Sequence, residues 1–180
     1  MAPAAPQTAT VPRKAWSVLI VSTLAFTTCF MVWMMFGVIG IPLKKTLGLN
    51  ATEFGLLTAT PVLTGSLIRV PLGIWTDKYG GRIVMACLMA LTVPAIWLMS
   101  YATAYWHFLV IGLFVGLAGG SFSVGTPYVA RWFPRTRQGM AMGVYGAGNS
   151  GAAVNKFVAP ALLVAFGWTM VPQVYAAIML

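Results

Sequence analysis

Acidic residues are almost missing from this chain: there are two among 180, against eleven Lys and Arg and a single His. Charged residues of both signs make up 7% of it, where a soluble domain carries about 25%. So thin a set cannot cover the surface of a water-soluble fold, which excludes a soluble globular enzyme and a disordered chain. Cysteine is scarce too. Cys29 and Cys87 lie inside apolar runs and read as small buried hydrophobes, neither disulfide partners nor metal ligands. His107 has no cysteine or carboxylate nearby to complete a metal site. No nucleophile–base pair stands out, so no catalytic residue, metal or cofactor is expected. The net charge of +9 comes without a basic stripe, so nucleic acid is not expected as a partner either.

What the chain has in excess is apolar. Hydrophobic residues reach 59%, gathered in long runs between short polar or basic links. A membrane helix needs about 20 apolar residues to cross about 30 Å of hydrocarbon. The expected spans are Ser17–Gly40, Thr52–Trp75, Ile83–Tyr101, Phe108–Ala130 and Gly139–Phe166. Pro42, Lys44, Lys45, Gly48 and Asn50 mark the first loop, with Asn50 and Thr52 as caps opening the second span. Thr76–Arg82 (TDKYGGR) reads as a tight turn, Ala102–His107 as a short link and Arg131–Gln138 as a basic turn. The residues Thr169–Leu180 reach only about 18 Å as helix, so they read as the start of a sixth span in a longer protein. The expected fold class is all-α, a polytopic membrane protein with about five transmembrane helices plus part of a sixth. Residues 1–16 are expected to form a flexible tail, rich in Ala, Pro and Thr over 1–12, and residues 17–180 an incomplete six-helix unit. The run after Arg13 and Lys14 is longer than the core of a signal peptide, so it reads as an uncleaved span.

Positive residues set the orientation of such a chain. Arg13, Lys14, Lys78, Arg82, Arg131, Arg135 and Arg137 fall on one side, and only Lys44 and Lys45 on the other. Seven against two puts the N-terminus in the cytoplasm.

Two cations remain inside the apolar runs, Arg69 and Lys156. A central Arg or Lys costs about 2.5 to 3.5 kcal/mol on insertion scales. The only acids are Glu53 and Asp77, about 24 Å and about 12 Å from Arg69 along a helix. A cation without a counter-ion that faces a bundle interior suits an anionic ligand. The competing reading is that Arg69 snorkels to headgroups or meets backbone carbonyls. Arginine also holds a planar fork of donors and a permanent charge. Ser66 and Gly65 share its face one turn earlier, as a hydroxyl and a space beside it or simply as packing residues.

Glycines recur at helical steps. Gly112, Gly116, Gly119 and Ser123 are spaced 4, 3 and 4 apart, as are Gly139, Gly143, Gly146 and Ser150. Small stripes let membrane helices approach closely. The adjoining face of the fifth span carries Asn149, Ala153 and Lys156, so packing alone or a narrow polar path for a small ligand both fit. Phe122, after Gly119–Gly120, is a candidate wall of that path. The turn after the second span reads G-x-x-x-D-K-x-G-G-R through Gly73, Asp77, Lys78, Gly80, Gly81 and Arg82, with Asp77 placed to cap the third helix.

That turn resembles the loop motif of the major facilitator superfamily, with Gly81 at one of its basic positions. GMAMGVYGAGNSGAA (Gly139–Ala153) resembles the glycine-rich signature of the nitrate/nitrite porter family within that superfamily. LIRVP (Leu67–Pro71), GGSF (Gly119–Phe122) and RWFPRTRQG (Arg131–Gly139) are similar to the same family. The resemblance implies an N-terminal six-helix half of a twelve-span carrier in the inner (plasma) membrane, working by alternating access in nitrate assimilation. It implies that Arg69 binds nitrate or nitrite, that Phe122 packs against the anion, and that Asn149 lines the site with Gly146 and Gly148. Ser66 and Lys156 are the remaining candidate substrate contacts. The partners it implies are the anion, membrane lipid and a C-terminal half carrying a second arginine.

Overall fold

The computed structural model describes residues 11–180, and among these every regular element is helical. In hydrocarbon no water is available to unpaired backbone groups, so a long apolar run must satisfy them within itself, as helix. Six helical runs result: α1 Arg13–Thr46, α2 Ala51–Tyr79, α3 Gly81–Met99, α4 Tyr105–Ala130, α5 over 135–166 and α6 Met170–Met179. The first four are long and apolar enough to cross a membrane. The fifth is not among those four, because Asn149, Asn155 and Lys156 interrupt its apolar character. The sixth is short, as expected. Many large apolar side chains point outward, Phe157, Val164 and Leu67 among them. In water such a surface would aggregate; in lipid it is the solvated one.

The helices alternate in direction, and side-chain bonds fasten both ends of the bundle. At one end the Tyr105 hydroxyl of α4 donates to the Glu53 carbonyl of α2 at 3.0 Å, and Ser100 Oγ, after α3, donates to the Thr169 carbonyl before α6 at 2.8 Å. At the other end Arg131, after α4, meets Asp77 of α2. The core is centred on α1, which packs against α4, α5 and α6, while α2 runs along α4 and α6 lies on α3 and α5.

The helix ends differ from the expected ones for local reasons. Pro42, Lys44 and Lys45 lie inside α1, not in a loop. Lys44 and Lys45 sit in its last turn, where cations suit the negative end of the helix dipole. Gly48, at φ +63°, ends it, and the Leu49 N–H reaches back to the Lys44 carbonyl at 3.0 Å. Asn50 caps α2 as expected: its side chain accepts the Glu53 N–H while Glu53 accepts the Asn50 N–H, both at 2.9 Å. Thr52 is a first-turn residue, not a cap. The turn expected over Thr76–Arg82 narrows to Gly80, because α2 continues to Tyr79 and α3 begins at Gly81. Gly80 holds φ +87°, which costs glycine nothing. Asp77 therefore belongs to the last turn of α2 and does not cap α3, whose first turn has no side-chain cap. The basic turn shortens to 131–134, since α5 starts at Arg135 after Pro134. Residues 1–10 of the expected tail lie outside the described residues; from Arg13 the chain is already helical. Cys29 is buried as expected, but Cys87 faces outward.

The capping pair gives a direct test. Asn50→Ala is expected to lower stability by about 1 kcal/mol, and Thr52→Ala to leave it close to wild type, in thermal unfolding of the detergent-solubilised protein.

Candidate functional site

Four of the long runs carry an irregular step. In α1 it falls at Met34–Met35 and in α2 at Ile68. In α4 it is the tight turn Leu117–Gly120, and in α5 Ala147–Ser150. The last three have a local cause. Pro71 has no N–H to give the Leu67 carbonyl, so α2 loosens at Ile68, directly before Arg69. In α4 a pair of glycines meets Ser121, whose hydroxyl donates to the Ala118 carbonyl at 2.7 Å. In α5 the Asn149 side-chain amide donates to the Gly146 carbonyl at 2.8 Å. Five of the predicted site residues, Arg69, Phe122, Gly146, Gly148 and Asn149, sit at or beside these steps.

The structure gathers Arg69, Phe122 and Gly148 around aromatic side chains of α1. The Arg69 guanidinium lies over the Trp33 ring, 5.9 Å from its centre. Trp33 is followed along α1 by Phe30, at 5.4 Å between ring centres, and Phe26, a further 5.6 Å on. Phe26 stacks on Tyr145 of α5 at 4.9 Å and meets Phe122 of α4 at 5.5 Å. Gly148 is buried directly beneath Phe26, where a Cβ would collide with the ring. Phe122 is 41% exposed, so one side of its ring packs and the other is open.

Both acids are engaged away from Arg69. Glu53 belongs to the α2 cap. Asp77 Oδ1 accepts a hydrogen bond from Arg131 Nη2 at 2.6 Å, with both side chains more than half exposed. An exposed pair of this kind contributes roughly 0.2 to 1 kcal/mol. Since the chain holds two acids in all, neither Arg69 nor Lys156 has a carboxylate beside it.

The other predicted residues fall into two groups. Ser66, Asn149 and Lys156 are exposed, and the face expected to join Asn149, Ala153 and Lys156 is indeed one outward face. It is open: the narrow path read from the sequence is not enclosed by this chain. Grooves of about 570 Å³ and about 250 Å³ lie elsewhere, and Arg69 lines neither. In the loop motif Gly73 is half-buried, Lys78 lies over the Tyr79 ring at 5.2 Å, and Arg82 and Lys14 border the larger groove.

The two glycine stripes behave differently. On α4 the expected close approach is present: a Cβ at Gly116 would stand 2.6 Å from the Pro61 carbonyl oxygen, and one at Gly119 2.6 Å from the Trp33 ring. On α5, Gly139, Gly143 and Gly146 face open space within this chain, and Gly148 and Gly151 make the close approach to α1 instead. Gly65 packs against Trp33 and the Gly116 carbonyl, so the space read beside Arg69 is filled by the indole.

Sequence reasoning missed Trp33, Phe26 and Tyr145, which were lost among many aromatics. It also missed Asn155, a buried amide that donates to the Met34 carbonyl at the α1 step (3.0 Å) and accepts the Tyr175 hydroxyl (2.8 Å). A lone amide in an apolar run was the available signal.

Comparison with known proteins adds a family. Residues 21–180 match the family model described as Major Facilitator Superfamily. The chain is 42% identical over 174 residues to a probable nitrate/nitrite antiporter, NarK1, of Thermus thermophilus, covering 90% of this chain and 39% of that protein. It is 35% identical to the nitrite extrusion protein of Bacillus subtilis, covering 87% and 40%. It is 32% identical to a probable nitrate transporter, NarT, of Staphylococcus carnosus, covering 89% and 42%. The chain thus spans about 40% of the length of these relatives. Its backbone is similar to a crystal structure of a bacterial homologue of the human lysosomal transporter Spinster, with a TM-score of 0.81 at 18% identity, covering 94% of this chain and 42% of that one. That likeness bears on the fold.

The packing contrast is measurable. Gly119→Val is expected to cost about 1 to 3 kcal/mol by overpacking, whereas Gly143→Val, facing open space in this chain, should leave stability unchanged or slightly raised, since valine is a better helix former than glycine. Paired thermal melts in one detergent would separate them.

Proposed function

The chain belongs to the major facilitator superfamily, and on that premise we propose that it forms the N-terminal part of a nitrate/nitrite carrier that works by alternating access. The reading is of transport, not catalysis, in keeping with the names of its relatives. One observation carries it: Arg69 lies in an apolar helix while both acids of the chain are held by other partners. Nitrate and nitrite are small, planar, singly charged anions. A guanidinium offers them two parallel hydrogen bonds and cannot lose its charge.

In this reading Arg69 binds the anion and the open side of Phe122 packs against it. Asn149 lines the site on the step that Gly146 and Gly148 shape. Ser66 adds a hydroxyl one turn from Arg69, and Lys156 a second positive charge on the open face. That face is completed by a C-terminal half, which also closes it from lipid. Gly73, Asp77, Lys78, Gly80 and Arg82 act as the conformational loop, with the exposed Asp77–Arg131 pair as a contact weak enough to break in each cycle. The residues that precede α1 are cytoplasmic, the chain from Arg13 onward is the half itself, and the protein resides in the inner membrane with its N-terminus inside.

Uptake of nitrate by the full gene product in proteoliposomes tests the assignment. Arg69→Lys keeps the charge and loses the paired donors, so KM for nitrate should rise at least about tenfold. Nitrite should compete and acetate should not. An unchanged KM in the Lys variant contradicts the role given to Arg69.

A further inference from the structure

Stacking satisfies a guanidinium differently from ion pairing. A carboxylate takes the N–H donors at the edge of the fork, whereas an aromatic ring meets the flat face and leaves the donors free. Arg69 has no carboxylate, and its guanidinium lies over the Trp33 ring at 5.9 Å. Building on the anion site proposed above, we propose that Trp33 is a positioning residue for Arg69: a fixed indole platform that stands in for a counter-ion while keeping the fork open for a planar anion.

The indole is held from three sides. Its Nε1–H donates to the Pro61 carbonyl at 2.9 Å. That acceptor lies on α2, the helix that carries Arg69, so platform and guanidinium share one frame. Gly65 of α2 and Gly119 of α4 leave the slot the ring occupies, since a Cβ at either would stand 2.8 Å or less from the indole. Phe30 packs edge-on at 5.4 Å. Trp33 is 9% exposed, so the ring cannot swing away without disturbing α2 and α4. Two glycines and a backbone carbonyl thus serve to aim one side chain. The guanidinium carbon lies 5.9 Å from the centre of the Trp33 ring, and Arg69 is exposed, as is Ser66 one turn away. A planar anion can take paired donors in the plane of the fork without displacing the indole.

The decisive experiment changes the ring's charge distribution and not its shape. Tryptophans bearing one to four fluorines, placed at position 33 alone in the full gene product, weaken the negative ring face step by step. KM for nitrate in proteoliposomes should rise with each fluorine, to about three- to tenfold for the last, while the maximal rate changes less. Trp33→Phe, which keeps a ring but loses the bond to Pro61, should fall within that series, and Trp33→Leu at or beyond its end. A KM independent of fluorine number overturns the proposal while leaving the anion site standing. Absence of saturable nitrate uptake by the unmodified protein overturns the anion assignment instead. In that case the stacking is read without substrate, as the difference in thermal stability on Arg69→Gln between the unmodified and tetrafluorinated proteins. Coupling between the two changes supports the platform, and strict additivity overturns it.

Discussion

A permanent positive charge midway along an apolar run, exposed on the bundle surface in a chain with two acids, is the constraint from which the rest follows. Both carboxylates of this chain are used at helix ends, one closing the cap of α2 and the other bonding Arg131. Nothing anionic remains to neutralise Arg69. The guanidinium lies over an indole instead, and in the proposed reading its donors meet an anion from outside the chain.

The surrounding helices are built to tolerate that arrangement. Pro71 loosens α2 just before Arg69, the Gly119–Gly120 pair tightens α4 beside Trp33, and Asn149 bonds its own turn in α5. Asn155 takes up the carbonyl at the α1 step and is itself bonded by Tyr175. In hydrocarbon each loosened turn leaves polar backbone that must find a partner. At the α1, α4 and α5 steps the partners are side chains of the same bundle, Asn155, Ser121 and Asn149. Irregular backbone, close glycine contacts and Arg69 thus lie together, and regular apolar helix continues on either side.

Much of this was legible in the sequence. The class of fold follows from apolar runs of membrane length, and Arg69 stands out because charge is so rare. The Asn50 cap could be read from Asn and Glu three residues apart. Helix ends were less legible: Pro42 and the residues Thr76–Tyr79 carry turn-like types, yet continuing the helix keeps their backbone bonded. The packing partner of each glycine was not legible at all. Identical spacing in two helices gave one stripe that packs within this chain and one that faces open space, because spacing specifies a face but not what meets it. Trp33 was hidden for the same reason, its importance arising from the slot that Gly65 and Gly119 make in two other helices.

The open, positively charged face beside Arg69 is most directly probed by the reactivity of a thiol placed at Ser66, in a background where the outward-facing Cys87 is replaced by alanine. Water-soluble methanethiosulfonates that differ only in charge, one anionic and one cationic, report the local potential through their relative rates. The account predicts that Ser66→Cys reacts faster with the anionic reagent and that Arg69→Gln abolishes the preference. Equal rates in both backgrounds, or reaction only with a membrane-soluble maleimide, would contradict it.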